Sequence, residues 1–248
     1  MTMIKSIPLT PVPGPTFFNL GLAPSLLEIV EKFGFTTPTP IQHKAIPVAL
    51  EGKDLVGVAQ TGTGKTLAFG LPMLQRLAQV KGQGLVLLPT RELALQVDET
   101  FRKIGRTLGL RTAVLIGGAP MPQQIRSLRA NPHVVIGTPG RIIDHLHQNT
   151  LKLSQVTILV LDEADRMLDM GFAPQVEEIL KSVPRERQTM LFSATMPEGI
   201  VRIASKAMKL PVRVEIAPTG TMAERVAQEL FVIAKDQKLR LLEKILQQ

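Results

Sequence analysis

The stretch that decides the fold is Asp54-Leu55-Val56-Gly57-Val58-Ala59-Gln60-Thr61-Gly62-Thr63-Gly64-Lys65-Thr66. Its first half is a near-continuous apolar run, the mark of a strand covered on both faces. That run empties into a Gly/Thr-rich turn, and Lys65 opens an amphipathic stretch that predicts a helix over 65–77. Strand, glycine loop and helix in this order form a phosphate cradle. Glycines let backbone N–H groups wrap the phosphates, the Lys meets the β/γ charge and the Thr hydroxyl suits Mg²⁺. The helix start adds the positive end of its dipole. The generic pattern has a further Gly five residues before Gly64; here that position is Ala59, so the loop is a relaxed version. Gln60, Thr61, Gly62, Thr63, Gly64, Lys65 and Thr66 are the expected phosphate-binding residues.

Outward from this loop the same alternation continues. Apolar runs at 84–88, 111–116, 133–136, 156–161, 189–192 and 212–216 read as further strands. Amphipathic stretches at 24–33, 40–50, 91–108, 121–129, 141–148, 174–182 and 197–208 read as helices. Such alternation predicts an α/β fold: an open, mostly parallel sheet with helices on both faces. Ligands then collect at the carboxyl ends of the strands. The run 156–161 ends in Asp162-Glu163-Ala164-Asp165, 97 residues after Lys65. A carboxylate at the tip of a buried strand needs a cation beside it. Asp162 is placed to hold Mg²⁺ together with Thr66, and Glu163 to orient and deprotonate a water attacking ATP.

The 248 residues carry 29 Lys and Arg against 21 Asp and Glu, a net charge of +8, which suits a polyanionic partner. The absence of Cys excludes a disulfide framework, a Cys-ligated zinc and a thiol nucleophile, and fits a reducing, cytoplasmic setting. No apolar run approaches the ~18–20 residues that span a bilayer. His43, His133, His145 and His147 lack partners at metal-ligand spacing and are expected at the surface or in turns. Met167, Met170, Met190 and Met196 are expected in the core.

With both acidic and glycine motifs in view, the chain resembles the DEAD-box RNA helicases of superfamily two. Asp162-Glu163-Ala164-Asp165 is the motif that names that family, and Pro89-Thr90-Arg91-Glu92-Leu93-Ala94, Gly117-Gly118, Thr138-Pro139-Gly140-Arg141 and Ser193-Ala194-Thr195 follow in the family's order. Gly34–Gln42 resembles the family's adenine-sensing motif, and Phe17 stands 17 residues before its Gly, where the family has an aromatic. The resemblance implies a RecA-like P-loop NTPase domain using ATP and Mg²⁺. Gln42 would read the adenine edge and Phe17 would stack on the base, with the neighbouring Phe18 a competitor for that place. Pro89, Thr90, Arg91, Gly117, Gly118, Thr138, Pro139, Gly140 and Arg141, read as loop residues after neighbouring strands, would hold the RNA sugar-phosphate backbone without reading sequence. Asp165, Ser193 and Thr195 would couple the ATP site to strand separation.

The family's full enzyme has two RecA-like domains. The expected organisation is a Pro-rich arm at 1–16, the first RecA-like domain at 17–216, a linker at 217–225, and at 226–248 the first strand (229–234) and helix (236–246) of a second domain. The Gly-Arg-rich motif that supplies arginine fingers has no counterpart here. The expected behaviour is therefore weak nucleotide binding, slow hydrolysis and no unwinding by this chain alone, which is expected to be a monomer whose tail docks or swaps. Two other readings stay open at this stage: a non-catalytic nucleic-acid or partner-binding module, and a P-loop ATPase acting on something other than RNA.

Overall fold

The computed structural model describes residues 14–216 and 237–246. The expected linker at 217–225 and strand at 229–234 lie outside the described residues, as does most of the Pro-rich arm.

Seven strands form one sheet: β1 (Leu55–Val58), β2 (Gln83–Leu87), β3 (Thr112–Leu115), β4 (Val134–Gly137), β5 (Val156–Leu161), β6 (Gln188–Ser193) and β7 (Val212–Glu215). Their spatial order is β3-β4-β2-β5-β6-β1-β7, and every pair is parallel. The helices are α1 (Pro24–Lys32), α2 (Pro40–Leu50), α3 (Lys65–Gln79), α4 (Arg91–Gly105), α5 (Met121–Arg129), α6 (Pro139–His147), α7 (Ala164–Asp169), α8 (Ala173–Ser182), α9 (Glu198–Ala207) and α10 (Lys238–Leu246). All seven strands anticipated over residues 54–216 are present. The helix anticipated over 91–108 ends at Gly105 and continues as a 3-10 turn, Arg106–Leu108, closed by Gly109 with φ 69°. The six-residue α7 was not anticipated, being too short to show a period.

Alternate residues of each strand serve opposite faces. Val86, Val134, Ile136, Ile158, Val160 and Phe192 pack on one side with α1 to α4. Leu85, Leu87, Val135, Leu159, Leu161 and Leu191 pack on the other with α6 to α9. This two-sided burial is why the strands read as continuous apolar runs. Among the described residues no helix is long and apolar enough to cross a membrane.

Long-range hydrogen bonds fix the sheet where β7 joins. The Asp54 carboxylate, just before β1, accepts from the backbone N–H of Thr189 (2.6 Å) and of Lys209 (2.7 Å). The Gln188 amide donates to the carbonyls of Ala49 (2.8 Å) and Lys53 (2.9 Å). With β1, β6 and β7 locked together, the loops at their carboxyl ends are held in fixed register.

Candidate active site

The loop after β1 is set by two glycines in the left-handed region, Gly62 (φ 83°) and Gly64 (φ 88°). Gly64 is also the N-cap of α3, and a Cβ there would collide with the Gln42 amide. Lys65 is buried at the start of α3, and its ammonium donates to the Ala59 carbonyl (3.1 Å). The Thr63 hydroxyl donates to the Gln60 carbonyl (2.7 Å), closing the loop on itself.

Gln42 is buried on α2 and braces this loop. Its amide nitrogen donates to the Gly64 carbonyl (3.0 Å), while its oxygen accepts from the N–H of Thr39, the N-cap of α2 (2.9 Å). Both ends of the side chain expected to read adenine are thus engaged within the protein. Phe17 corrects an expectation: only 3% of it is exposed, within the core against α1 and α2, whereas Phe18 is 69% exposed. Phe17 offers no open face for stacking, because the short turn Phe17–Leu20 points it inward.

Across the sheet, β5 delivers the acidic residues. Asp162 is buried, and burial pushes its carboxyl up to about 6 against the pull of the Lys65 ammonium; the Glu163 N–H donates to it (3.0 Å). Glu163 sits at φ 51°, a backbone position rare for a residue with a side chain. Its buried carboxylate accepts from the Thr61 hydroxyl (3.3 Å) and pairs with Arg166 (3.3 Å). The loops after β1 and β5, 102 residues apart at Thr61 and Glu163, therefore meet in one site.

Asp165 ties this site to β6. The N–H and hydroxyl of Thr195 both donate to its carboxylate at 2.9 Å, and its own N–H donates to Ser193 Oγ (3.1 Å). Burial raises the Asp165 carboxyl, but the hydrogen bonds from Thr195 and Ser193 together outweigh it and hold it below the ordinary carboxylate value.

The other motifs gather on β3, β4 and β2. Thr90, Arg91, Gly117, Thr138, Gly140 and Arg141 line one groove, into which Met170 and Phe172 also project. Met170 is 48% exposed, not in the core, because α7 ends just before it. Pro139 and Gly140 were read as loop residues before a helix at 141–148, and here the structure corrects the reading, while Arg91 opens the helix expected at 91–108. Thr90 caps α4 by accepting from the Leu93 N–H (3.3 Å), and Arg91 is its first residue; Pro139, Gly140 and Arg141 form the first turn of α6, with Thr138 at the N-cap. Two helix N-termini thus face the groove beside Pro89. Gly118 (φ 75°) lies against the Arg91 guanidinium, which a Cβ would displace.

Sequence reasoning missed Gln124 and misplaced His145. Gln124, buried on α5, accepts from the Ile116 N–H (3.2 Å) and donates to the carbonyls of Ile116 (3.0 Å) and Ala119 (3.1 Å). It thereby brackets Gly117-Gly118, and Arg141 adds a bond to the same Ala119 carbonyl (2.9 Å). His145 is fully buried rather than at the surface, between Thr150 (2.8 Å) and Gln124 (3.3 Å), and burial and Arg141 push its imidazole down. Only the position of Gln124 on the inner face of α5, seven residues past Gly117, hinted at its part.

A DEAD/DEAH box helicase family model matches residues 39–203. The chain is 48% identical over 232 residues to the ATP-dependent RNA helicase CshA of Listeria monocytogenes, covering 93% of this chain and 45% of that protein. It is 47% identical over 226 residues to the ATP-dependent rRNA helicase RRP3 of Debaryomyces hansenii, covering 90% and 47%. The crystal structure of a DEAD box protein from the hyperthermophile Methanococcus jannaschii superposes with a TM-score of 0.78 at 34% identity, covering 94% of this chain and 63% of that one. The chain spans about half the length of the curated relatives it matches. A chain that carries the acidic motif at the tip of β5, on this sheet and at this identity, belongs to the DEAD/DEAH box helicase family.

Proposed function

We propose that this chain is the ATP- and RNA-binding core of an RNA helicase, in which nucleotide binds at the ends of β1, β5 and β6 and RNA backbone at the ends of β3, β4 and β2. One observation carries the reading: the strand order sorts the motifs into two contiguous halves, β3-β4-β2 and β5-β6-β1. The phosphate loop and acidic motif fall in one half and the groove of caps, glycines and arginines in the other.

In the nucleotide half, the N–H groups of the Gln60–Lys65 loop and the first turn of α3 receive the phosphates, and Lys65 neutralises them. Asp162 and Thr66 offer the hard oxygen donors that Mg²⁺ takes, and a buried carboxylate held near Lys65 is one that a cation relieves. Among the described residues no cluster of three His, Cys, Asp or Glu forms a cage, which fits an ion completed by phosphate oxygens. Held by Asp162 and Thr66, Mg²⁺ would supply positive charge against the charge that develops on the phosphates. Glu163 is the group that orients and deprotonates water. The Asp165–Thr195–Ser193 contacts transmit changes at β5 to β6.

In the other half, Thr90, Arg91, Thr138, Arg141 and the N–H groups at Gly117, Gly118 and Gly140, beside Pro89 and Pro139, suit phosphate and sugar oxygens. Gln42 serves as a brace between α2 and the phosphate loop that an adenine would share. We place the first RecA-like domain at 17–216, a linker at 217–225 and the start of a second such domain at 226–248, in a cytoplasmic protein. The test is to join a second RecA-like domain from a relative in cis and measure ATP hydrolysis with single-stranded RNA and DNA. RNA-selective stimulation that Glu163→Gln abolishes is expected. Hydrolysis indifferent to RNA would overturn the reading. The chain alone should turn over slowly, since a missing arginine finger costs about 10³–10⁵ in rate.

A further inference from the structure

The positive charge of this chain does not lie where its RNA motifs lie. The motif segments at the carboxyl end of the sheet carry Lys65, Arg91, Arg141 and Arg166 against five carboxylates, Glu92, Asp144, Asp162, Glu163 and Asp165. The excess sits at the amino end of β3, β4, β2 and β5. There Lys81, Arg106, Arg111, Arg126, Arg129 and Lys152 are all exposed. Arg102 and Lys103 beside them are already paired with Asp98 (2.8 Å) and Glu99 (2.7 Å). The six therefore account for most of the chain's net +8.

Two adjoining hollows give this surface its shape. One is lined by Lys81, His133, Lys152 and the polar side chains of Asn131, Ser154 and Gln155. The other holds Arg106 and Arg111 with Arg102 and Lys103. Arg111 joins them: its guanidinium donates to the Asn131 carbonyl (3.2 Å) and its N–H to His133 Nδ1 (3.1 Å). Arg126 and Arg129 complement the dipole at the end of α5, which explains them without a ligand. Arg106 is the C-cap of α4 and shares that explanation in part, whereas Lys81, Arg111 and Lys152 stand outside the helices and have no such explanation.

We propose that this amino-end surface is a second, sequence-independent binding surface for the RNA phosphodiester backbone. It is reached around edge strand β3 by an RNA strand leaving the motif groove. The path is short, because Gly117 and Arg111 lie at opposite ends of the same edge strand, about 20 Å apart at ~3.3 Å per residue. Exposed arginines and lysines amid amides and hydroxyls, with no exposed aromatic among them, suit phosphates rather than stacked bases. The inference rests on the motif groove being an RNA site. Its test separates the two.

The test uses the full chain with Lys81→Gln, Arg106→Gln, Arg111→Gln and Lys152→Gln combined. Affinity is read by fluorescence anisotropy for RNAs of about 6 and about 20 nucleotides, since a site of ordinary size covers the first but not the second. The quadruple variant should keep wild-type affinity for the short RNA and lose about tenfold or more for the long one. The slope of log affinity against log salt should fall by about 3, at ~0.7 per released phosphate contact. A matched variant with Lys32, Lys44, Lys181 and Arg185 changed to Gln should change neither. Equal losses in both variants, an unchanged long-RNA affinity, or a surface that captures anionic vesicles or acidic peptides but not RNA would overturn the proposal. Loss of short-RNA binding in wild type would instead sink the reading of the motif groove, and this proposal with it.

Discussion

At Asp162 the requirements of the fold and of the site oppose each other. Its carboxyl stands at about 6, above its ordinary 3.8, because burial outweighs the nearby Lys65. A group whose folded value lies above its unfolded one favours the fold in its protonated form. Its contribution is therefore full below about pH 4 and is lost as pH rises through about 6. Asp162→Asn should make the nucleotide-free protein more stable at pH 7, by at most about 3 kcal/mol, with little change at pH 4. The same variant should lose Mg²⁺-dependent ATP hydrolysis by 10²-fold or more. Thermal melts at the two pH values with an ATPase assay check both, and a variant that melts lower at pH 7 would refute the assignment. In wild type, Mg²⁺-nucleotide affinity should weaken as pH falls below about 6. Phe17 offers the contrasting case of a residue whose number in the sequence suggested a ligand and whose packing says core. Phe17→Ala should cost about 3–5 kcal/mol and Phe18→Ala almost nothing. Phe17→Leu should restore both melting temperature and ATP affinity if packing is the role. A Phe17→Leu protein that melts normally yet has lost ATP affinity would return the ring to the base.

Between residues and the whole sheet, the strands and helices show what could be read in advance. Their apolar runs and start signals were legible because two-sided burial leaves a continuous hydrophobic trace and each carboxyl end carries its own motif. The start of α4 was read at Arg91, but the first two residues of α6, Pro139 and Gly140, were not read as helix. Thr-Pro-Gly also makes a good turn, and only the packing of Ile142 and Ile143 under β4 decides between them. Gln124 was invisible for a similar reason: a buried glutamine has no signature until the loop that it brackets is seen. That loop, Gly117–Ala119, makes no strand or helix of its own and takes its shape from Gln124 and Arg141. Gln124→Leu would strand the N–H of Ile116 and two carbonyls, at about 1–3 kcal/mol for a buried unpaired group. Short-RNA affinity should fall several-fold while ATP affinity without RNA stays at the wild-type value. Gln124→Glu, which keeps the acceptor, should fall between. Isothermal titration with each ligand separates these outcomes, and equal losses for both ligands would show general unfolding instead.

On the scale of the molecule, the order β3-β4-β2-β5-β6-β1-β7 is the fact that the sequence alone does not contain. Crossovers of any length between parallel strands read alike, so nothing in residues 54–66 says that β1 lies between β6 and β7. Asp54 to Lys209 and Gln188 to Ala49 are likewise contacts across most of the chain, formed only when the order is right. The consequence is that the proposed nucleotide site draws on the neighbouring strands β5, β6 and β1. Ligand binding there should be felt by the whole domain. At a nucleotide concentration about 100 times its Kd, Mg²⁺-ATP should stabilise the folded chain by about 2.7 kcal/mol. For a domain of this size that is a rise of roughly 5–11 °C in Tm. Lys65→Ala and Asp162→Asn should abolish the rise, the first by removing the charge that meets the phosphates and the second by removing the metal's carboxylate. Thr195→Ala, which loosens only the link from Asp165 to β6, should keep it. Differential scanning fluorimetry over a nucleotide titration decides the matter: a full rise in the Lys65→Ala protein would mean that nucleotide binds somewhere other than the loop between β1 and α3.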